Sequence, residues 1–154
     1  MTTTASPRMH RDRLHREVAT RLREHDVRYT RGRQTVVTAL ANADGPLSAA
    51  ELHDELGDDV PLSSLYRTLT VLESAEVAVP HFGARGVTRY ELAEWLAGHH
   101  HHLVCTDCGS VEDVDIPSGV EERVEVIVRA IADPAGFRPT GHELEISGLC
   151  RRCA

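Results

Sequence analysis

The chain has 154 residues, of which 41% are hydrophobic, and its formal net charge is −7. A chain of this length buries one respectable core or two small ones, and no apolar run is long enough to span a membrane. The acidic balance excludes a uniformly basic nucleic-acid binder, and the N-terminus lacks the pattern of a secretion signal, so we expect a cytoplasmic protein.

The N-terminal segment is basic and helical. Residues 1–33 hold nine arginines against four acidic residues, and the whole chain contains no lysine. Within residues 9–26, Leu14, Val18 and Leu22 recur at four-residue intervals with charges between them, which predicts an amphipathic helix. Any cationic contact to phosphate or to a base must therefore come from arginine or histidine.

Three more helices follow. Residues 31–43 form a second helical stretch, and Ser48-Ala49-Ala50-Glu51 has the spacing of a capping box that opens a third helix, ending at Gly57. A fourth helix follows Pro61 and has an apolar and a polar face when it is projected at 100° per residue. The apolar face comprises Leu62, Leu65, Leu69 and Leu72, and the polar face comprises Ser63, Tyr66, Arg67 and Thr70.

After Glu76 the pattern changes to short alternating runs. Val77-Ala78-Val79 and residues 88–92 predict a β-hairpin, and four short helices that end in a hairpin are typical of a winged helix-turn-helix. The second half predicts three strands and one helix, in the order strand 99–105, strand 110–116, helix 118–132 and strand 142–146.

We therefore predict an α+β chain with two domains. The first is a winged helix-turn-helix DNA-binding domain over residues 1–84, followed by a hinge over residues 85–89. The second is an α/β dimerisation domain with a four-cysteine zinc site, over residues 90–154.

The four cysteines form two C-x-x-C pairs. Cys105 and Cys108 are separated from Cys150 and Cys153 by 41 residues. In a reducing cytosol such pairs are poor disulfide candidates, and four thiolates complete the tetrahedral shell of zinc and leave no open position. We predict a structural zinc site, and two redox-active pairs or four incidental thiols are the alternatives.

Four consecutive histidines precede the first cysteine pair. If His99 to His102 are extended, His99 and His101 point to one side and His100 and His102 to the other. The run then supplies an imidazole pair to each of two metal sites, whereas a solvated polar strand end is the alternative. Other nitrogen and oxygen ligands are nearby in the sequence: Glu91, Glu94, Glu112, Asp113, Glu121, His81 and His142. A mixed shell of imidazoles and carboxylates suits zinc, ferrous iron, manganese or nickel.

Three motifs together resemble the ferric uptake regulator family of bacterial metal-dependent repressors. They are the histidine run that leads into Cys105-x-x-Cys108-Gly109, the pair Cys150-x-x-Cys153 after His142, and the segment Ser63-Ser64-Leu65-Tyr66-Arg67-Thr68-Leu69. The resemblance extends from about residue 12 to the end of the chain. It implies a homodimeric repressor of metal-homeostasis genes that binds double-stranded operator DNA, with no membrane association and no small-molecule substrate.

The resemblance also implies the roles of individual residues. The structural zinc site is matched by the four cysteines, Cys105, Cys108, Cys150 and Cys153. A regulatory site for a divalent metal, at the hinge, is matched by Glu91, His100, His102 and Asp113. A further site within the dimerisation domain is matched by His99, His101, Glu121 and His142. The DNA contacts are matched by the recognition-helix residues Tyr66 and Arg67, with Ser63 and Thr70 beside them, and by Arg28, where members carry a basic residue that approaches the minor groove.

The chain departs from the family pattern at the regulatory site. Iron and peroxide sensors supply a histidine just before the third helix, where this chain has Pro46, and zinc sensors often supply a cysteine after the hinge tyrosine, where Glu91 follows Tyr90. We therefore expect His81, in the wing, to be the ligand from the DNA-binding domain, with an ordinary surface histidine as the alternative. The hinge is also two residues longer than in iron-type members, which makes Glu94 an alternative to Glu91.

The metal that is sensed stays open at this point. Zinc or iron uptake control is the leading reading, and a peroxide-, manganese- or nickel-sensing member is the alternative. A metal-dependent hydrolase is a distant one, because the chain has no H-E-x-x-H motif, nucleophile elbow or phosphate loop, and we expect no enzyme. A metal buffer protein would need neither the arginine-rich N-terminus nor the Tyr66-Arg67 helix.

Overall fold

The computed structural model describes residues 11–154, so residues 9 and 10 of the predicted first helix, and Arg8, lie outside the described residues. In chain order the elements are α1 (Arg11–Glu24), α2 (Arg31–Asn42), β1 (Leu47–Ser48), α3 (Ala49–Leu56), α4 (Leu62–Ser74), β2 (Ala78–Phe82), β3 (Thr88–Leu92), α5 (Glu94–Ala97), β4 (His101–Cys105), β5 (Val111–Val114), α6 (Ser118–Ala132) and β6 (Glu145–Gly148). Within the described part of the chain, no helix combines the length and the hydropathy needed to cross a membrane.

Helices α1 to α4 pack their apolar faces into one core. Val18, Leu22, Val36, Leu52 and Leu65 are all fully buried in it. The Ser48 and Glu51 side chains form the predicted capping box of α3, and Thr30, which was not predicted as a cap, caps α2. Leu62 differs from the expectation of an inward face: it is the first residue of α4 and its side chain is 43% exposed.

The first sheet is antiparallel, with strand order β1-β3-β2. In the β2–β3 hairpin Ala78 pairs with Leu92 and Phe82 with Thr88. β1, which the sequence analysis does not predict, adds to the other edge of β3 through Leu47. Arg89 of β3 is buried and pairs with Glu51, so the wing strand is fastened to the N-terminus of α3.

The segment that joins the two sheets lies later than the predicted hinge. Residues 85–89 form the tip of the β2–β3 hairpin and the first residues of β3, where they are held by strand pairing. The chain leaves the first sheet at Ala93, passes through α5 and enters the second sheet at His101. Glu91 therefore lies on the N-terminal side of the joining segment.

The second sheet has the order β5-β4-β6, with β4 antiparallel to β5 and parallel to β6. Strand β6 begins at Glu145, three residues later than predicted, and α6 spans the predicted range, residues 118–132. Several apolar side chains of α6, of β6 and of the residue that follows β6 are exposed: Val126, Ile127, Ile131, Ile146 and Leu149.

The two halves meet at the turn between α2 and β1. The backbone N–H of Asp113, on β5, donates to the carbonyl of Asp44 at 3.0 Å. The neighbouring Gly45 is buried, and a Cβ atom there would overlap the Val111 carbonyl oxygen and lie 3.1 Å from the Glu112 Cα atom. The turn that carries Pro46 thus approaches the second sheet through its backbone.

Candidate metal centres and nucleic-acid interface

The first candidate centre is the four-cysteine cluster of Cys105, Cys108, Cys150 and Cys153. Because β4 and β6 are parallel neighbours, their carboxyl ends lie side by side and bring the two C-x-x-C pairs together. One ligand atom from each cysteine lies within 4.8 Å of all the others, and all four are free thiols. Backbone amides of Cys108 and Cys150 donate to the Cys105 sulfur and lower its pKa to about 6, which favours the thiolate that binds metal. This donor set fits a structural zinc ion.

The second centre, called here the first histidine cluster, comprises Glu91, His100, His102 and Asp113. Glu91 Oε2 lies 2.9 Å from His100 Nε2 and 3.1 Å from His102 Nε2. Asp113 Oδ1 is 3.8 Å from His100 Nε2 and 3.6 Å from His102 Nε2, because Asp113 pairs with His102 across β4 and β5. The first sheet thus contributes Glu91, and the second sheet and the residue that precedes it contribute the other three.

His81 lies beside this cluster. Its Nε2 atom is 2.5 Å from Glu91 Oε1, and its ring centroid is 4.7 Å from that of His102. The wing strand β2 therefore delivers an imidazole to the boundary between the halves. Glu94, the alternative to Glu91, hydrogen-bonds to His99 at 2.7 Å instead.

Hydrogen bonds within the first histidine cluster shift its titration. Burial raises the pKa of Glu91, but hydrogen bonds from His100, His102 and His81 outweigh burial and hold it well below the usual range. The hydrogen bond between His100 and Glu91 raises the pKa of His100 to about 9, and the separate hydrogen bond between His81 and Glu91 raises the pKa of His81. Without metal, this carboxylate therefore accepts a hydrogen bond from a protonated His100 at neutral pH.

We expect the zinc affinity of the first histidine cluster to rise with pH between about 6.5 and 9, by up to about tenfold per unit for each proton displaced, because a metal competes with the His100 proton. The stability of the protein with this cluster empty and the four-cysteine zinc retained should change in the opposite direction. The folded form holds the His100 proton more tightly than the unfolded chain does, so this contribution is complete below about 6.5 and is lost as pH rises through about 9. Chelator competition and thermal unfolding at pH 6.5, 7.5 and 8.5 measure both effects, and a pH-independent zinc affinity would contradict a protonated His100.

The third centre, the second histidine cluster, comprises His99, His101, Glu121 and His142. Glu121, in the first turn of α6, places Oε2 2.8 Å from His101 Nε2 and Oε1 3.3 Å from His99 Nε2. Oε1 is also 2.8 Å from His142 Nε2, but without the alignment of a hydrogen bond, so this nitrogen is buried and unsatisfied. Three imidazole nitrogens that converge on one carboxylate, one of them orphaned, fit a divalent metal such as zinc or ferrous iron.

The two histidine clusters separate as strand alternation predicts. His99 and His101 meet Glu121, and His100 and His102 meet Glu91, although only His101 and His102 belong to β4 itself. Glu112, another ligand considered from the sequence, is exposed and joins neither cluster. The hydrogen bond between Glu94 and His99 and the close approach of Gly45 to β5 were not predicted. No local spacing in the sequence indicates either contact.

The predicted DNA-reading residues are all exposed. Ser63, Tyr66, Arg67 and Thr70 lie on the face of α4 opposite the buried Leu65, Thr68, Leu69 and Leu72. Arg28 is exposed in the loop between α1 and α2. The face therefore presents a guanidinium, a phenol and two hydroxyl groups, which are suited to phosphates and base edges.

Comparisons with known proteins agree with these observations. The model of the ferric uptake regulator family matches residues 24–147. The chain is 36% identical over 130 residues to a zinc uptake regulation protein of Mycobacterium tuberculosis, covering 82% of this chain and 95% of that protein. It is 40% identical over 99 residues to a ferric uptake regulation protein of Legionella pneumophila, covering 64% of this chain and 68% of that protein. The crystal structure of the Vibrio cholerae ferric uptake regulator superposes with a TM-score of 0.67 at 28% identity, covering 86% of this chain and 98% of that one. The chain therefore belongs to the ferric uptake regulator family, whose members are metal-responsive, DNA-binding transcription regulators and not enzymes.

Proposed function

We propose that this protein is a metal-dependent repressor that binds operator DNA as a homodimer and senses a divalent metal at the first histidine cluster. The observation that carries the proposal is the origin of the ligands. Glu91 and His81 come from the first sheet, whereas His102 and Asp113 come from the second.

Ligands on both sides of the joining segment couple metal binding to the angle between the halves. A divalent cation in this cluster supplies bonds to donors of both sheets. The chain positions Glu91 for this purpose by pairing β3 with β2, and Asp113 by pairing β5 with β4. If the closed arrangement is favoured by about 3 kcal/mol, the equilibrium shifts by roughly two decades. Two recognition helices of a dimer would then sit at the spacing of successive major grooves, about 34 Å or a multiple of it.

The dimerisation surface that we propose is the exposed apolar face of the second half. Val126, Ile127 and Ile131 of α6 are 66%, 57% and 71% exposed. Clusters of exposed apolar side chains of this kind mark interaction surfaces, and among the described residues β6 is an edge strand of the second sheet.

We place the domain boundary at Gly98, within the joining segment, and not at residues 85–89.

We propose zinc or ferrous iron as the sensed metal and zinc in the four-cysteine cluster. Relatives of this chain are named for zinc and for ferric uptake, and solved neighbours include a zinc-bound manganese uptake regulator. Imidazole and carboxylate ligands suit all of these metals, so manganese and nickel remain the alternatives. A repressor of this kind acts in the cytoplasm, where the operator DNA is.

Gel-shift titrations test the function directly. The zinc-loaded protein, stripped at its weaker sites, is titrated onto promoter fragments from its own genome with ferrous iron, zinc, manganese or nickel. We expect one or two of these metals to tighten specific binding by about 100-fold. Equal binding with and without every metal would contradict the proposal.

Arg67→Ala should weaken specific DNA binding by about 1–3 kcal/mol, because Arg67 projects from the exposed face of α4. Arg138→Ala, which removes an exposed arginine from the second half, is the matched control and should bind as the parent does. An equal loss on random-sequence DNA would instead make Arg67 a phosphate contact.

His81→Ala should abolish metal-dependent DNA binding while the four-cysteine zinc and the dimer are retained. We propose a sensor shell of His81, His100, His102 and Glu91, with Asp113 as a fifth ligand, and His81 already lies 2.5 Å from Glu91. His25→Ala, at an exposed histidine after α1, serves as the control. An unchanged metal dependence in the His81 variant would make His81 an ordinary surface histidine.

A further inference from the structure

The joining segment begins with α5, which packs against the first half. The Ala93 amide at its start donates to Val77 O at 2.9 Å, and Leu96 is buried in the helical core. The Trp95 indole donates to Glu76 O at 2.8 Å, and the Arg21 guanidinium stacks 4.9 Å from the centroid of its ring. Helix α5 therefore moves with the DNA-binding half.

The chain changes direction immediately after α5. Gly98 has a φ of 84°, in the region that favours glycine, and the next residue is His99 of the second histidine cluster. A glycine with a positive φ thus separates α5 from a candidate metal ligand of the second half.

The two ring nitrogens of His99 face two carboxylates, one that precedes Gly98 in the chain and one that follows it. Its Nδ1 atom lies 2.7 Å from Glu94 Oε1 on α5, and its Nε2 atom lies 3.3 Å from Glu121 Oε1 on α6. An imidazole that donates its Nδ1–H to a carboxylate is held in the tautomer that leaves the Nε2 lone pair free for a metal. The ring is also held edge-on against His101 and His142, with centroids 4.7 and 4.8 Å away.

We propose that Glu94 is a positioning residue for the second histidine cluster, and that through Glu94 a divalent cation in this cluster holds α5, and so the DNA-binding half, in a defined orientation. This inference rests on the proposed function, because it adds a second point at which metal acts on the angle between the halves. It also assigns Glu94 a role other than replacing Glu91. By thermodynamic reciprocity, DNA binding changes the metal affinity of this cluster by the same factor by which metal binding changes the DNA affinity.

The chain carries its own reporter for the test, since Trp95 is the single tryptophan and lies on α5. The full chain with its four-cysteine zinc retained carries His102→Ala to disable the first histidine cluster. Zn²⁺ is titrated against a chelator of known affinity while Trp95 emission is recorded. In this background we expect Zn²⁺ binding to change the emission.

Three variants separate the possible roles of Glu94, whose side chain is 68% exposed and so is not needed for the core. Glu94→Ala should lower the Zn²⁺ affinity by 10- to 100-fold and remove the Trp95 response. Glu94→Gln should recover much of both, because its amide oxygen still accepts the Nδ1–H of His99. Glu24→Gln removes the same charge from an exposed position of α1 and should behave as the parent does.

Each contrary outcome overturns a stated part. Parent-like affinity and emission in Glu94→Ala would remove the positioning role. A Glu94→Gln variant as weak as Glu94→Ala would make Glu94 a direct ligand. A silent Trp95 in the parent would remove the link to α5. Failure of the proposed function would appear separately, as metal-independent gel shifts of the unmutated protein.

Discussion

Replacing Cys108 by serine is expected to remove the tightly bound zinc and, with it, the folded second half of the molecule. The reason lies in the distribution of the core. Among the described residues, the contiguous hydrophobic core ends at Leu96. Beyond His100 the buried apolar side chains are only Val104, Cys105, Val111 and Ala132. A structural zinc site contributes on the order of 10 kcal/mol, more than this small set of side chains can replace.

The loss should be confined to the second half. Helices α1 to α4 have their own core, so circular dichroism should retain a cooperative helical transition while zinc content and the dimer are lost together. Thr106→Ser is the control and should keep its zinc. It changes an exposed position between Cys105 and Cys108 and retains the hydroxyl group. A stable, zinc-free dimer of Cys108→Ser would show that the second half does not need zinc in the four-cysteine cluster in order to fold.

Gly45→Ala should separate the two halves although it replaces no candidate metal ligand. A Cβ atom at Gly45 would overlap the Val111 carbonyl oxygen, and because that neighbour is backbone, one strand or the whole turn must move. The Asp113 amide would then lose its hydrogen bond to Asp44, and Asp113 would shift relative to Glu91. We expect the regulatory metal affinity to fall by at least about tenfold, equivalent to 1.4 kcal/mol, together with the metal response in gel shifts.

Gly32→Ala is the matched control for this change. It lies within α2, a Cβ atom there would meet nothing within 4 Å, and alanine favours a helix over glycine, so binding should be unchanged. Zinc content and the dimer should remain normal in both variants. Small-angle scattering should show a more open shape only for Gly45→Ala, and a compact Gly45→Ala variant with parental metal affinity would show that the turn does not hold the halves together.

Local signals in the sequence were sufficient for much of the fold. The capping box at Ser48 and Glu51 and the four-residue spacing of Leu14, Val18 and Leu22 predicted helices that the structure contains. These features depend on residues within one or two turns of each other. The spacing of the two C-x-x-C pairs and the alternation of the histidine run are equally local, and they predicted the four-cysteine cluster and the division of the histidines into two pairs. The remaining ligands of the two histidine clusters were implied only by the resemblance to the ferric uptake regulator family.

Only the tertiary structure decided how the centres relate to the two halves. Glu91 stands between the predicted hinge and the histidines in sequence, but pairing of β3 with β2 places it in the first sheet. His81 meets Glu91 and Glu94 meets His99 because of the paths of the hairpin and of α5, which the periodicity of either segment leaves undetermined. The approach of Gly45 to β5 depends on backbone atoms that carry no residue-specific signal. The sequence by itself therefore determined the chemistry of each site, whereas strand pairing and long-range packing determined which half of the protein each ligand belongs to.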